Sequence, residues 1–173
     1  MRKLAFLAGI VALAGLSGCG YHSLGAATHL PPDMHTLAVP VFATRTETYH
    51  TEVAVTRAVI REMLARTQLR VVPDADANSD AVLHGTILQE TVSPLTYNTT
   101  TQQSSSFLIT LVASVKLTAR DGTVLYENKN YVFRQQYQTT TDLESFFQEN
   151  PAAIERLSRD FARAVVADVV EGF

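Results

Sequence analysis

The chain has 173 residues, 46 % of them hydrophobic, with a single cysteine, no tryptophan and a formal net charge of −3. One cysteine rules out a disulfide within the chain, and an acidic balance argues against generic nucleic-acid binding, which rests on dense Lys and Arg. The length suits one domain with a core of its own.

Met1-Arg2-Lys3 is a short cationic start, and Leu4 to Leu16 carries no charge. Ser17 and Gly18 are small, which completes the layout of a secretory leader over residues 1–18. The apolar run is shorter than the roughly 20 residues that a membrane-spanning helix needs. Leu16-Ser17-Gly18-Cys19 resembles the lipobox of bacterial lipoproteins, in which the cysteine becomes the mature N-terminus. A thiolate is the nucleophile that takes up the diacylglyceryl group. The resemblance makes Cys19 the lipidation site, with covalent diacylglyceryl and N-acyl lipid and no separate cofactor. A buried, inert thiol is the commoner fate of a lone cysteine, and a catalytic one needs a histidine base held against it. Position, charge pattern and the four-residue match favour the anchor over both. Each buried CH₂ contributes about 0.8 kcal/mol, so two or more acyl chains hold stably where one does not. In the lipoproteins that this segment resembles, an Asp after the cysteine retains the protein at the inner membrane. Gly20 stands there, which implies the outer membrane, periplasmic face. Cleavage leaves 155 residues with 12 basic and 17 acidic side chains, a net charge of −5.

Residues 19–35 read as a lipidated tether stiffened at its end by Pro31-Pro32. Thr36 to Phe42, TLAVPVF, predicts a short strand. Pro40 cannot donate to a ladder, so the strand is an edge strand or turns that position outward. After a Thr-rich loop, Thr51 to Thr67 has helical period: Val55-Val59-Met63 and Ile60-Leu64 lie on one side, Arg57, Arg61, Glu62 and Arg66 on the other. Glu62 and Arg66 are a favourable i,i+4 pair. Leu69 to Val72 is a short strand ended by Pro73. Asp74, Asp76 and Asn78 alternate in the loop that follows, but the glycine and distant glutamate of a calcium loop are missing, so the loop reads as solvated.

Ala81 to Val92 predicts a strand, and residues 95–106 a polar loop or a strand extension. Asn98-Thr99-Thr100 is a formal glycosylation sequon without a eukaryotic context. Phe107 to Thr118 alternates apolar and mixed residues over its whole length, which predicts a long strand with one buried face. Asp121-Gly122 predicts a two-residue turn into Val124 to Tyr137. That register sets Leu117 opposite Tyr126, Lys116 opposite Glu127, Val115 opposite Asn128 and Ala113 opposite Asn130. Two asparagines on the buried face are costly unless bonded, so a β-bulge is expected between Glu127 and Asn130. "LESFFQEN" predicts one or two helical turns. Asn150-Pro151 then starts a new helix with Asn150 as N-cap, on a stripe of Ile154, Leu157, Phe161, Val165 and Val169. The order β-α-β-β-β-β-α predicts an α+β fold: a two-layer sandwich over residues 36–173, with a mixed or antiparallel sheet of about four strands and two amphipathic helices packed on one face.

No enzyme signature is present. His22, His29, His35, His50 and His84 are scattered, without the spacing of metal ligands. There is no phosphate-binding glycine loop and no nucleophile elbow. Glu127 and Glu144 read as paired or solvated.

The run Cys19-Gly20-Tyr21-His22-Ser23-Leu24-Gly25 resembles the CGYxxxG start of the LptE family of lipopolysaccharide-assembly lipoproteins. TLAVPVFATRTE from Thr36, VAVTRAVIREMLARTQLRVV over 53–72 and the strand after Asn78-Ser79-Asp80 are similar to the elements that follow in that family. Thr44 stands where the family usually has Asn. The resemblance implies a plug in the lumen of the lipopolysaccharide-translocating outer-membrane β-barrel, a partner of LptD type. It also implies help in assembling that barrel and contact with lipopolysaccharide. An anionic ligand calls for cations, and the hairpin carries Lys116, Arg120, Lys129 and Arg134. The alternative from another class is an outer-membrane lipoprotein that activates a peptidoglycan synthase or assists secretion-pore assembly.

Overall fold

A computed structural model describes residues 30–46, 50–74, 78–98, 103–138 and 143–172. The leader, Cys19, the tether up to residue 29 with His22 and His29, Asp76, and Thr99-Thr100 of the sequon lie outside the described residues. The elements are β1 Thr36–Ala38, β2 Ala43–Thr44, α1 Thr51–Arg66, β3 Arg70–Val72, β4 Ala81–Asn98, β5 Gln103–Ala119, β6 Val124–Gln138 and α2 Leu143–Glu171. The expected α+β architecture is found, with a sheet of six strands rather than about four.

The strand order is β3-β1-β4-β5-β6, with β2 also on β4. β1 is therefore interior, which excludes the edge-strand alternative of the two that Pro40 left open. It runs parallel to β3 on one side, Leu37 opposite Val71, and parallel to β4 on the other, Leu37 opposite Ala81. Pro40 falls after β1, in the gap before β2 resumes along β4 with Ala43 opposite Thr86. The proline thus ends one short ladder instead of weakening it. Past Ile87, which accepts from Arg45 N, β4 has no second strand partner among the described residues.

β4, β5 and β6 form an antiparallel meander of long strands. Of the two readings of residues 95–106, loop or strand extension, the extension is found for most of the segment: β4 continues to Asn98 and β5 begins at Gln103. The expected bulge in β6 is present. Val115 faces Asn128 and Ala113 faces Tyr131, so Lys129 and Asn130 share one position opposite Ser114. The Asn128 side chain accepts from Asn130 N at 2.9 Å, which satisfies the bulge. The turn differs from expectation. Ala119 N donates to Thr123 O, enclosing three residues with Gly122 at φ 90°, and an extra residue at Leu125 restores the register so that Leu117 still faces Tyr126.

One layer of helices covers one sheet face, and a single core joins the layers. α1 buries Val55, Val59 and Met63 as expected, and Ala58 with them, but Leu64 is 54 % exposed. The i,i+4 spacing put Leu64 with the core; in the folded chain only Ile60 of that pair packs against it. Glu62 and Arg66 pair at 2.6 Å, and Arg61 crosses to Glu155 of α2 at 2.8 Å. α2 is one continuous helix with Pro151 inside it, where a break had been expected. Asn150 is not its cap: its amide donates to Tyr137 Oη at 3.3 Å. From Ala153 onward α2 buries a wide face, Leu157, Ser158, Phe161, Val165 and Val166 included. Phe161 is the hub, edge-on to Phe42 at 6.1 Å, Tyr131 at 5.7 Å and Phe133 at 5.4 Å. Gly85 makes room beneath: a Cβ there would lie 2.1 Å from the Phe42 ring.

Candidate functional site: the open face of the meander

Strand alternation divides the meander cleanly. Leu83, Ile87, Ile109, Leu111, Val115, Leu117 and Tyr131 point to the helices and are buried. The other face carries Val82, His84, Thr86, Leu108, Thr110, Val112, Ser114, Lys116, Val132 and Arg134, and no element among the described residues covers it. Its centre is half-buried and partly aliphatic, with Val112 opposite Val132, the latter 40 % exposed. Hydroxyls and two cations surround that centre. Such a surface suits a wet, mixed contact better than a hydrocarbon one.

The four candidate cations are distributed along the hairpin and do not converge. Lys116 lies on the open face, between His84 on β4 and Glu127 on β6. Arg134 lies on the same face, opposite Thr110. The two positions are six residue steps apart along β5, roughly 20 Å at strand rise. Lys129 sits in the bulge, its Nζ 3.7 Å from Glu127 Oε2 and its side chain 80 % exposed. Arg120 is engaged at the turn: it donates to Asp80 Oδ1 at 2.8 Å and to Ser79 O at 3.0 Å.

Asp80 organises that end of the molecule. Its Oδ2 accepts from His35 N at 2.9 Å and Thr36 N at 2.8 Å, joining the entry of β1 to the start of β4. These two backbone donors, with Arg120 beside them, hold its carboxyl below the usual range. A cavity of about 360 Å³ opens here, lined by Pro31, Met34, Asp80, Arg120, Asp121 and Leu125 among others. Between β6 and the last turns of α2, Tyr131 donates to Asp168 Oδ2 at 2.5 Å and meets the Tyr126 hydroxyl. Burial, then the bond to Asp168, raises the Tyr131 hydroxyl well above the ordinary phenol range, so it acts as a fixed donor that fastens β6 to α2.

Sequence reasoning missed two features. The first is the β4 bulge at Leu88, which brings Glu90 onto the helix face opposite Leu111. The signal was present: apolar positions shift parity from Leu83 and Ile87 to Leu88 and Val92. The second is Asp80, whose role depends on pairings distant in sequence that no local pattern carries.

Long antiparallel strands, helices on one side and an open mixed face on the other define an α+β domain built to present a sheet surface. The lipopolysaccharide-assembly family LptE matches residues 34–169, and the chain belongs to that family. The family is a non-enzymatic one of outer-membrane lipoproteins that work in lipopolysaccharide assembly. Solved structures of similar fold include lipoprotein B from Nitrosomonas europaea, with a TM-score of 0.58 and 11 % identity over 86 % of this chain and 88 % of that one. A lipoprotein from Caulobacter crescentus has a TM-score of 0.53 and 9 % identity over 76 % and 89 % of the two chains. A minor lipoprotein from Acinetobacter baumannii has a TM-score of 0.50 and 15 % identity over 82 % and 95 %. At these identities the likeness is one of fold. No curated protein sequence matches the chain.

Proposed function

We propose that the chain is anchored by acyl groups on Cys19 to the periplasmic face of the outer membrane. There its domain sits in the lumen of the lipopolysaccharide-translocating barrel, a partner of LptD type, helps that barrel assemble and contacts lipopolysaccharide in transit. The observation that carries this reading is the uncovered sheet face. It is about 11 residues long on β5, from Leu108 to Thr118, and mixes aliphatic, hydroxyl and cationic side chains. A polar barrel wall can pair with the hydroxyls and cations, and acyl or sugar groups of an amphipathic anion can use both parts. Family membership supports the pathway; the barrel partner and the ligand are the proposed steps. Lys116 and Arg134, which share this face, are the first contacts to consider, with Lys129 at its rim. Arg120 contributes less because its guanidinium already serves Asp80.

The test is co-purification of the full lipidated chain from detergent-solubilised outer membrane. The reading expects a stoichiometric complex with a large β-barrel of the lipopolysaccharide translocon. Recovery with a peptidoglycan synthase or a secretin instead overturns it in favour of the other lipoprotein role.

A further inference from the structure

Glu90 is the one ionisable residue that the β4 bulge turns toward the helices. Neither of its carboxyl oxygens reaches solvent, and neither has a hydrogen-bond partner of good geometry. Facing it is Thr51, the first residue of α1, itself 3 % exposed and with its hydroxyl equally unpartnered. The groups around the carboxyl are few. From α1 come the Thr51 hydroxyl and the Glu52 carboxylate, the latter 3.9 Å from His50 Nδ1. From β5 comes Leu111, directly opposite and buried. No basic side chain among the described residues forms an ion pair with Glu90. Beyond it, residues 91–96 of β4 are exposed, and that edge of the strand has no second partner among the described residues.

We infer that Glu90 and Thr51 form a proton-dependent clasp between α1 and the outer arm of the β4–β5 hairpin: closed with the carboxyl neutral, opened when the carboxyl ionises. A neutral carboxyl can donate to the Thr51 hydroxyl inside the layer. An anion there has at most the Thr51 hydroxyl as donor and no cation against it, so it gains by recovering water, and the nearest route is for the arm to lift from α1 at the Leu88 bulge. Burial holds this carboxyl above the usual range; the Thr51 hydroxyl opposes that shift in part and Glu52 adds to it. The folded chain therefore keeps a proton that the unfolded chain has lost. Stability falls as pH rises through that window, and the loss is complete above the folded value.

Two measurements test the clasp. The first is the titration of the Glu90 side-chain carboxyl by nuclear magnetic resonance in the wild-type chain. The second is amide hydrogen exchange of residues 89–96 from about pH 4 to about pH 8, corrected for intrinsic rates, in wild type and Glu90→Gln; the span covers ordinary and strongly raised carboxyls. The expected result is an upshifted titration. Local opening should rise about tenfold for each unit of that upshift, and the variant should respond flatly to pH. A carboxyl titrating in the ordinary range overturns the clasp, as does a variant that keeps the wild-type pH dependence. The carboxyl titration needs no variant, so misfolding of Glu90→Gln leaves the question answerable.

Discussion

Gly85 shows how much one missing atom decides. Phe42 is 2 % exposed and occupies the space that a Cβ at Gly85 would take. The ring cannot withdraw without disturbing Phe161, the centre of the aromatic cluster. Gly85→Ala is expected to destabilise the domain by about 1–3 kcal/mol, the ordinary cost of overpacking, read as a fall in Tm of several degrees. Val59 and Met63 were legible in the sequence because their helical spacing has only one way to be covered. Leu64 was not: α1 has two apolar stripes, and which one meets the core depends on where α2 crosses. The facing of Glu90 was not legible for a related reason. Alternation carries a strand's facing only as far as its first bulge, and Leu88 resets the count.

At the scale of elements, the Asp80 brace and the proline in α2 make opposite demands. Asp80 joins β1, β4 and the β5–β6 turn through two backbone donors and Arg120. Its lowered carboxyl contributes stability above the unfolded-chain value, and that contribution is lost as pH falls through the folded one. Asp80→Asn keeps the size but weakens the acceptor, so the variant should lose part of the acid-induced unfolding step seen in wild type and be less stable at neutral pH. Circular dichroism against pH reads both. Pro151 lacks the N–H that a helix interior uses. In a continuous α2, Pro151→Ala restores a backbone bond and is expected to raise stability by up to about 3 kcal/mol. If the helix began at Pro151, alanine would bring no gain, and a thermal melt separates the two. The Asn-Pro pair reads locally as a helix start; in the folded chain the Asn150 side chain is bonded to Tyr137 and does not serve as a cap. The β6 bulge, by contrast, was legible because two buried asparagines in an unbroken register would have been too costly.

For the whole molecule, the layer architecture and the order of elements were legible because every long element has a clear period. The strand order was not. β1 lies inside the sheet because α1 carries the chain over to β3, and parallel neighbours joined by a crossover leave no local mark. The open face makes a prediction at this scale. Lys116→Gln with Arg134→Gln removes both cations from it while sparing Arg120 and its brace. The pair should weaken binding of lipopolysaccharide to the purified domain at low salt with Tm unchanged, and unaltered binding would remove the open face from the proposed contact. A second consequence belongs to β4 past Ile87, where one edge has no strand alongside it among the described residues. Exposed Val92 and Leu95 there would make an inviting template for another copy. Pro94 lies between them, and a proline in a strand turns its missing donor to the open side. The residue therefore opposes strand-to-strand zipping between neighbouring copies at high local concentration. Pro94→Thr should fold normally yet sediment as concentration-dependent oligomers, where the wild-type domain remains monomeric.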